Sequence, residues 1–392
     1  MKLCALSASS GRPVDIEFTE GRITRVGEAA SAESLAGKDG GLWVSAGFLD
    51  MQVNGFRGSD YSLEGLESRH VAEICRSLAK SGTTGHVATI VTSPPRRILE
   101  NLEVISRAMD EDEDIRAAIA GIHIEGPFIA EEDGPRGAHD RAFVRDPDFG
   151  EFCEWQAAAR GRIKIVTLAP ERPGALAFIE KLRAAGVIPA LGHTAADPAT
   201  VTAAVAAGAR LSTHLGNGSH ASLPRLKNYI WQQLAEDSLS AGLICDGFHL
   251  PAAVVKAFYR VKGLGRLILV SDAAFLGGCA PGVYRWGNLD VEVFADGHLG
   301  LPGTSLLAGA AHLLDWDIPR FMEFTGASLA RTLTLCTENP ARLLGLEQGA
   351  GLLAPGSPAD ITVFRLPAGA GALCIEKVFR RGKLVYARED IP

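Results

Sequence analysis

The chain has 392 residues, 47% of them hydrophobic and 22% charged, with a net charge of −7, enough for one large globular domain with an accessory unit or two ordinary domains. No segment concentrates Lys and Arg, which argues against a nucleic-acid partner, and no uninterrupted apolar stretch reaches the roughly 18 residues of a membrane span. Seven cysteines (Cys4, Cys75, Cys153, Cys245, Cys279, Cys336, Cys374) lie far apart, a pattern that suits free thiols in a reducing compartment. With no apolar signal-peptide core in MKLCALSASSGR, cytoplasmic residence is expected.

In chain order, residues 1–42 hold short runs such as VDIEFTEGRITRVGE that alternate apolar and polar side chains, as a half-exposed antiparallel sheet does. From about residue 43 to 345 apolar, β-branched runs alternate with helical patterns. Eight strands are predicted: Trp43–Val53, Thr84–Thr92, Ala118–Glu125, Ile163–Ala169, Val187–His193, Arg210–His214, Ser240–Asp246 and Arg266–Asp272. Between them, VAEICRSLAKSG, GALAFIEKLRAAG, DPATVTAAVAAG and PAAVVKAFYRVKG carry helical spacing and end in Gly, a helix-stop signal. Eight such βα units fit a (β/α)₈ TIM barrel better than an open sheet. Residues 275–303 read as an inserted excursion with a hairpin, and Gly303–Gly309 precedes a helix where its backbone would close on substrate. Residues 350–392 return to short β-like runs. The predicted fold class is α/β: a barrel over 43–349 and a small β-sandwich domain assembled from 1–42 and 350–392.

Ionisable residues recur where the predicted strands end. Strand one ends in Asp50, Gln52 and Asn54, strand three in His123 and Glu125, and strand five in His193. Strand six ends in His214, strand seven in Asp246 and His249, and strand eight in Asp272. In a barrel those ends converge on one face, where active sites are built. A single buried His or Asp near a strand end is more often structural than a ligand; six converging strands reverse that expectation. A metal explains the set, because two neutral imidazoles and a carboxylate leave coordination positions open for water and substrate. The candidate ligands are Glu125, His193 and His214. His123 points the same way as Glu125 and is expected to support the ligands rather than join them.

The motifs SAGFLDMQVNG (45–55), GIHIEGPF (121–128), GAH (137–139), LAPE (168–171), GHTAA (192–196), THL (213–215), CDGFHL (245–250), LVSDA (269–273), ENPARLLGL and PGSPADITVF, spanning 45–364, resemble the amidohydrolase superfamily and, within it, the N-acetylglucosamine-6-phosphate deacetylase family. The resemblance implies that Glu125, His193 and His214 hold the metal. It implies that Asp272 takes a proton from water and later protonates the departing amine, and that His139 polarises the acyl carbonyl. It places His249 on the sugar or its phosphate, and it implies a homodimer acting on a small N-acylated amino sugar.

Two departures qualify the match. Where many superfamily members carry HxH, this chain has Gln52-Val53-Asn54, whose neutral amides are weak metal ligands. One divalent ion per chain is therefore expected, with zinc heading the candidates and iron or another divalent ion fitting the same set. After THL the family continues FNAM; here Asn217 is retained, but Gly216 and Gly218-Ser219 replace the bulkier residues. Asn217, Gly218 and Arg225, the last 11 residues beyond His214, are the candidate substrate contacts, and His220 in the same loop is within reach. His70, His298 and His312 are expected to be surface or packing residues. The leading function is amide hydrolysis of N-acetylglucosamine 6-phosphate. Its alternative is deacylation of an unphosphorylated amino sugar or an N-acyl amino acid. A non-catalytic scaffold is disfavoured because Glu125, His193, His214 and Asp272 are all retained.

Overall fold

The structure is a computed structural model that describes residues 1–29, 41–286, 289–304, 307–366, 369 and 371–389. Its centre is an eight-stranded parallel sheet: β1 (Phe48–Val53), β2 (Thr83–Val91), β3 (Ile119–Glu125), β4 (Ile163–Leu168), β5 (Ile188–Leu191), β6 (Leu211–Ser212), β7 (Ser240–Leu243) and β8 (Leu267–Leu269), paired in that order. The sheet closes on itself. Val53 forms a parallel bridge with Ala273, and the Asp272 amide donates to the Gln52 carbonyl at 2.9 Å. Leu49, Met51, Val87, Ile165, Ala190, Leu211 and Ile268 belong to one buried cluster. Strands on opposite sides of a barrel can share such a cluster only across its interior.

A helix follows each strand: Ser68–Ala79, Pro95–Glu111, Phe149–Ala158, Ala175–Ala184, Pro198–Ala207, Tyr229–Ala235, Ala252–Lys262 and Leu314–Thr325. Local chemistry sets several boundaries. The Asp197 carboxylate accepts the Thr200 amide at 2.7 Å, Pro198 opens the helix, and Gly208 ends it with φ 131°. None of the helices among the described residues is long and apolar enough to cross a membrane.

Lys262 closes another helix end from a distance. Its side chain is buried, and Nζ donates to the carbonyls of Gln233 (2.6 Å), Glu236 (2.8 Å) and Leu239 (3.1 Å). Burial lowers its pKa to about 8, yet the three acceptors keep a cation useful there. Lys262→Met removes the donor these three carbonyls share, leaving Glu236 O with only the Leu239 amide, and is expected to cost about 2 kcal/mol in urea unfolding. An unchanged midpoint would refute that role.

The strand predicted as Trp43–Val53 is in fact two. Trp43–Ala46 pairs with Lys2–Ser7 and Ile361–Arg365 in a second sheet, and only Phe48–Val53 enters the barrel. The break falls at Gly47, where a Cβ would lie 2.1 Å from Thr84 Oγ1, so only glycine lets the chain cross so close to β2. The second sheet joins both termini in the order Lys383–Ala387, Cys374–Arg380, Ile361–Arg365, Trp43–Ala46, Lys2–Ser7, Pro13–Thr19 and Arg22–Glu28. It curls on itself. Phe18 and Phe379, on strands far apart in that order, meet edge to face at 5.3 Å over a core of Ile16, Ile23, Val44, Ile361 and Val363. The excursion after β8 is a three-stranded antiparallel unit, Gly282–Trp286, Leu289–Val293 and Leu299–Gly300. Ser305 and Leu306, in the stretch expected to close on substrate, lie outside the described residues.

Candidate metal centre and active site

Several barrel strands end earlier than their sequences suggest, for a reason tied to the site. His193, His214 and Asp272, just past β5, β6 and β8, have φ of 51°, 26° and 49°. Non-glycine residues rarely occupy that left-handed region, and such strain persists where the surrounding structure over-determines it. The extended ladder stops because these residues turn their side chains into the barrel mouth.

There Glu125, His193 and His214 converge. Glu125 Oε1 lies 2.9 Å from His214 Nε2 and 3.3 Å from His193 Nε2, and the two Nε2 atoms are 3.1 Å apart. Among the described residues this is the one group of three or more potential ligands whose atoms gather within 4.8 Å. A four-coordinate ion with bonds of about 2.0–2.1 Å sets its ligands roughly 3.3 Å apart, so the spacing fits. The tautomer fits as well. His193 Nδ1–H donates to the Pro135 carbonyl at 2.8 Å, which leaves the Nε2 lone pair directed at the centre. Electrostatics point the same way: burial would push His214 down, but the Glu125 carboxylate raises it to about 9. The pocket holds negative charge that a cation relieves.

Gln52 and Asn54 take another task from metal binding. Gln52 Nε2 donates to Glu125 Oε1 (2.9 Å) and to Asp272 Oδ1 (3.0 Å), and Asn54 Nδ2 donates to Asp272 Oδ1 (2.7 Å). Two neutral amides thus aim two carboxylates. Burial first, then the nearby Glu125, raises the Asp272 carboxyl to about 6.

His123 is not part of the converging group. Its ring sits between Thr89 Oγ1 (3.4 Å) and Thr167 Oγ1 (2.7 Å), and Thr167 Oγ1 bonds Thr213 Oγ1 (2.7 Å) beside His214. Burial lowers it to about 4, so it is a neutral strut joining β2, β3 and β4 to the start of the His214 turn. His139 packs edge to face on His193 at 4.3 Å and hydrogen-bonds Thr92 Oγ1 through Nδ1 at 2.8 Å. Burial pulls it to about 3, so it too is neutral. His249 donates from Nδ1 to Asp246 Oδ2 at 2.7 Å.

The loop after His214 divides. Asn217 holds a buried Nδ2 with no hydrogen-bond partner, and Gly218 (φ 55°) lies against the His193 ring of the candidate centre, where a Cβ would lie 2.7 Å from His193 Nδ1. Gly218→Ala is expected to displace that imidazole and weaken metal affinity about tenfold or more, read by metal titration; unchanged affinity would remove the steric role. His220 is engaged at both ring nitrogens, with Tyr229 Oη (3.0 Å) and Glu132 Oε2 (2.9 Å), and ties this loop to the one after β3. The Arg225 side chain is exposed on the outer stretch of the loop.

Sequence reasoning quoted LAPE without giving Glu171 a task. Its carboxylate accepts Thr194 Oγ1 and the Ala195 amide, each at 2.6 Å, and so clamps the turn that follows His193. The signal was present: an acidic residue just past β4, facing the strand that delivers a ligand.

The Amidohydrolase family profile matches residues 294–385. N-acetylglucosamine-6-phosphate deacetylase of Bos taurus is 34% identical over 366 residues, covering 90% of this chain and 85% of the relative. The enzyme of that name from Bacillus subtilis is 32% identical over 319 residues, covering 81% and 79%. Among solved structures, a variant N-acetyl-D-glucosamine-6-phosphate deacetylase from Mycobacterium smegmatis, in complex with N-acetyl-D-glucosamine-6-phosphate, superposes with a TM-score of 0.84 at 32% identity over 95% of each chain. The Thermotoga maritima deacetylase superposes with a TM-score of 0.83 at 26% identity over 98% of each. Identity at this level over nearly the whole length, on the same barrel, places the chain in the N-acetylglucosamine-6-phosphate deacetylase family of the amidohydrolases.

Proposed function

We propose that this protein is a metal-dependent hydrolase that removes the acetyl group of N-acetylglucosamine 6-phosphate, giving acetate and glucosamine 6-phosphate. One observation carries the reading: the buried Glu125, His193 and His214 converge within 4.8 Å, and Gln52 links Glu125 to the buried Asp272. A divalent ion held there, zinc in our reading and one per chain, supplies Lewis acidity that acidifies water and stabilises charge on the acyl oxygen.

The chain's own groups do the rest. Asp272 is oriented through Oδ1 by Gln52 and Asn54, and its other oxygen takes the proton of the attacking water. The water oxygen bonds to the acyl carbon, and the carbonyl electron pair moves to oxygen. Collapse of that adduct breaks the C–N bond while Asp272 returns the proton to nitrogen, because an amide nitrogen leaves poorly as an anion. His139 is neutral and tied through Nδ1 to Thr92; with the Thr92 hydroxyl as donor in that bond its proton sits on Nε2, and it is assigned as donor to the acyl oxygen. His249, Asn217 and the Gly218 backbone are assigned to the sugar and its phosphate.

We assign Arg225 to the phosphate in a partner subunit's site, which makes the enzyme a homodimer. Leu226 (75% exposed) and Trp231 (53% exposed) lie beside it, apolar surface suited to an interface. Seven free thiols support a cytoplasmic setting. A second reading, hydrolysis of an unphosphorylated amino sugar or an N-acyl amino acid, draws on the same loop, where Gly216 and Gly218 leave little side chain to grip a phosphate. Acetate release from N-acetylglucosamine with and without the 6-phosphate, and from N-acetyl amino acids, separates the two. We expect the phosphorylated sugar to have the highest kcat/KM. Preference for another substrate would move the assignment to the second reading, and inactivity on all of them would overturn both.

A further inference from the structure

Six side chains from three stretches of the chain form one stacked ladder next to His249. Phe294 and His298, at the turn between the second and third strands of the excursion, lie face to face with centroids 4.2 Å apart and planes 4° apart. His298 stacks on Phe248 (4.9 Å, 25°), Phe248 on His312 (5.7 Å, 14°), and His312 on Trp316 (4.2 Å, 12°). The Arg320 guanidinium lies over the Trp316 ring at 4.0 Å. Phe248 immediately precedes His249, whereas Trp316 and Arg320 belong to the helix after β8.

The ladder also grips the main chain that carries His249. Trp316 Nε1 donates to the Asp246 carbonyl at 3.0 Å. The Asp246 carboxylate accepts the amides of Phe248 (2.8 Å) and His249 (2.9 Å) through Oδ1, and His249 Nδ1–H through Oδ2. Residues 246–249 are thus held at one end by the indole and at the other by a phenyl ring between two imidazoles. Adjacent Cα atoms stay about 3.8 Å apart, so a shift of the Phe248 backbone carries His249 with it. His312 Nε2 is buried without a hydrogen-bond partner, so what this ring contributes is its stacked face.

We propose that the Phe294–His298–Phe248–His312–Trp316–Arg320 ladder is a positioning element: it docks the excursion against the barrel mouth and sets the place of the His249 imidazole for substrate. The inference rests on the reading of His249 as a substrate contact. The ladder residues act through His249 and touch neither the metal ligands nor Asp272 in the contacts above, so their loss should appear in substrate affinity before chemistry.

The test uses the full-length, metal-loaded enzyme with N-acetylglucosamine 6-phosphate. Phe248→Ala and His312→Ala are expected to raise KM roughly tenfold with kcat and metal content little changed, the size of effect that a small misplacement produces. His312→Phe keeps the stack and should retain the wild-type KM. In a His249→Ala background, Phe248→Ala should add nothing, since both changes then remove the same contact. Additive losses in that background, or unchanged KM in both ladder variants while His249→Ala raises it, would overturn the ladder alone. An unchanged KM in His249→Ala would remove the substrate-contact reading and the ladder with it.

Discussion

Asp272→Asn is expected to lower kcat by at least about a hundredfold while the metal stays in place, the usual scale for losing a general acid–base group. The substitution isolates proton transfer. An asparagine Oδ1 still accepts from Gln52 Nε2 and Asn54 Nδ2, which now reach Asp272 Oδ1 at 3.0 and 2.7 Å, so the side chain keeps its place. What it loses is the second oxygen, which would accept the water proton and later deliver it to nitrogen. Asp272 is outside the converging ligand group, so metal content should match wild type. Single-turnover acetate release beside metal analysis checks both halves. Wild-type turnover would end the acid–base role, and loss of the metal would show that Asp272 had been holding the centre instead.

The second large effect is expected from Glu125→Gln. A neutral amide oxygen is a poor ligand for a borderline ion, and the substitution removes the one negative charge among the three proposed ligands. Metal content should fall from about one per chain to near zero after dialysis. Turnover should fall about a thousandfold or more, because the ion contributes several kcal/mol of charge stabilisation in the transition state. Chelator treatment of the wild type should reproduce the loss. It should also lower Tm, since an ion that binds only the folded state stabilises it by mass action, whereas Glu125→Gln should be insensitive to chelator. A fully loaded, active Glu125→Gln protein would dissolve the metal centre as described.

Some of this molecule could be read one segment at a time. Helix starts and stops came from local chemistry, as at Asp197, Pro198 and Gly208, where the capping partner lies within a few residues. The strand runs were legible because β-branched, apolar stretches are short-range patterns, and Glu125, His193 and His214 stood out because each closes such a stretch. Other features depend on residues far apart in the chain. The Trp43–Ala46 run looks continuous with β1, and only the close approach of Gly47 to Thr84 separates the two sheets. Gln52 could be read as a lost ligand, but not as the donor joining Glu125 to Asp272, because those bonds span 73 and 220 residues. His298 and His312 read as residues of hairpin or helical segments away from the barrel strand ends, so their place in a stack beside His249 was invisible before folding.

Residue order already carries the kinds of element, their alternation, the chemistry available at the strand ends and the family to which those motifs belong. These follow from periodicity and from residue types that act within a turn or two. How the barrel closes, at Val53 and Ala273, and which ring nitrogens and oxygens meet emerge from the folded chain alone. It also decided that His193, His214 and Asp272 would adopt left-handed backbone to reach one another. The reason is physical: strand register and side-chain direction come from packing and hydrogen bonding across the whole barrel, and no local pattern encodes a distance between residues a hundred positions apart.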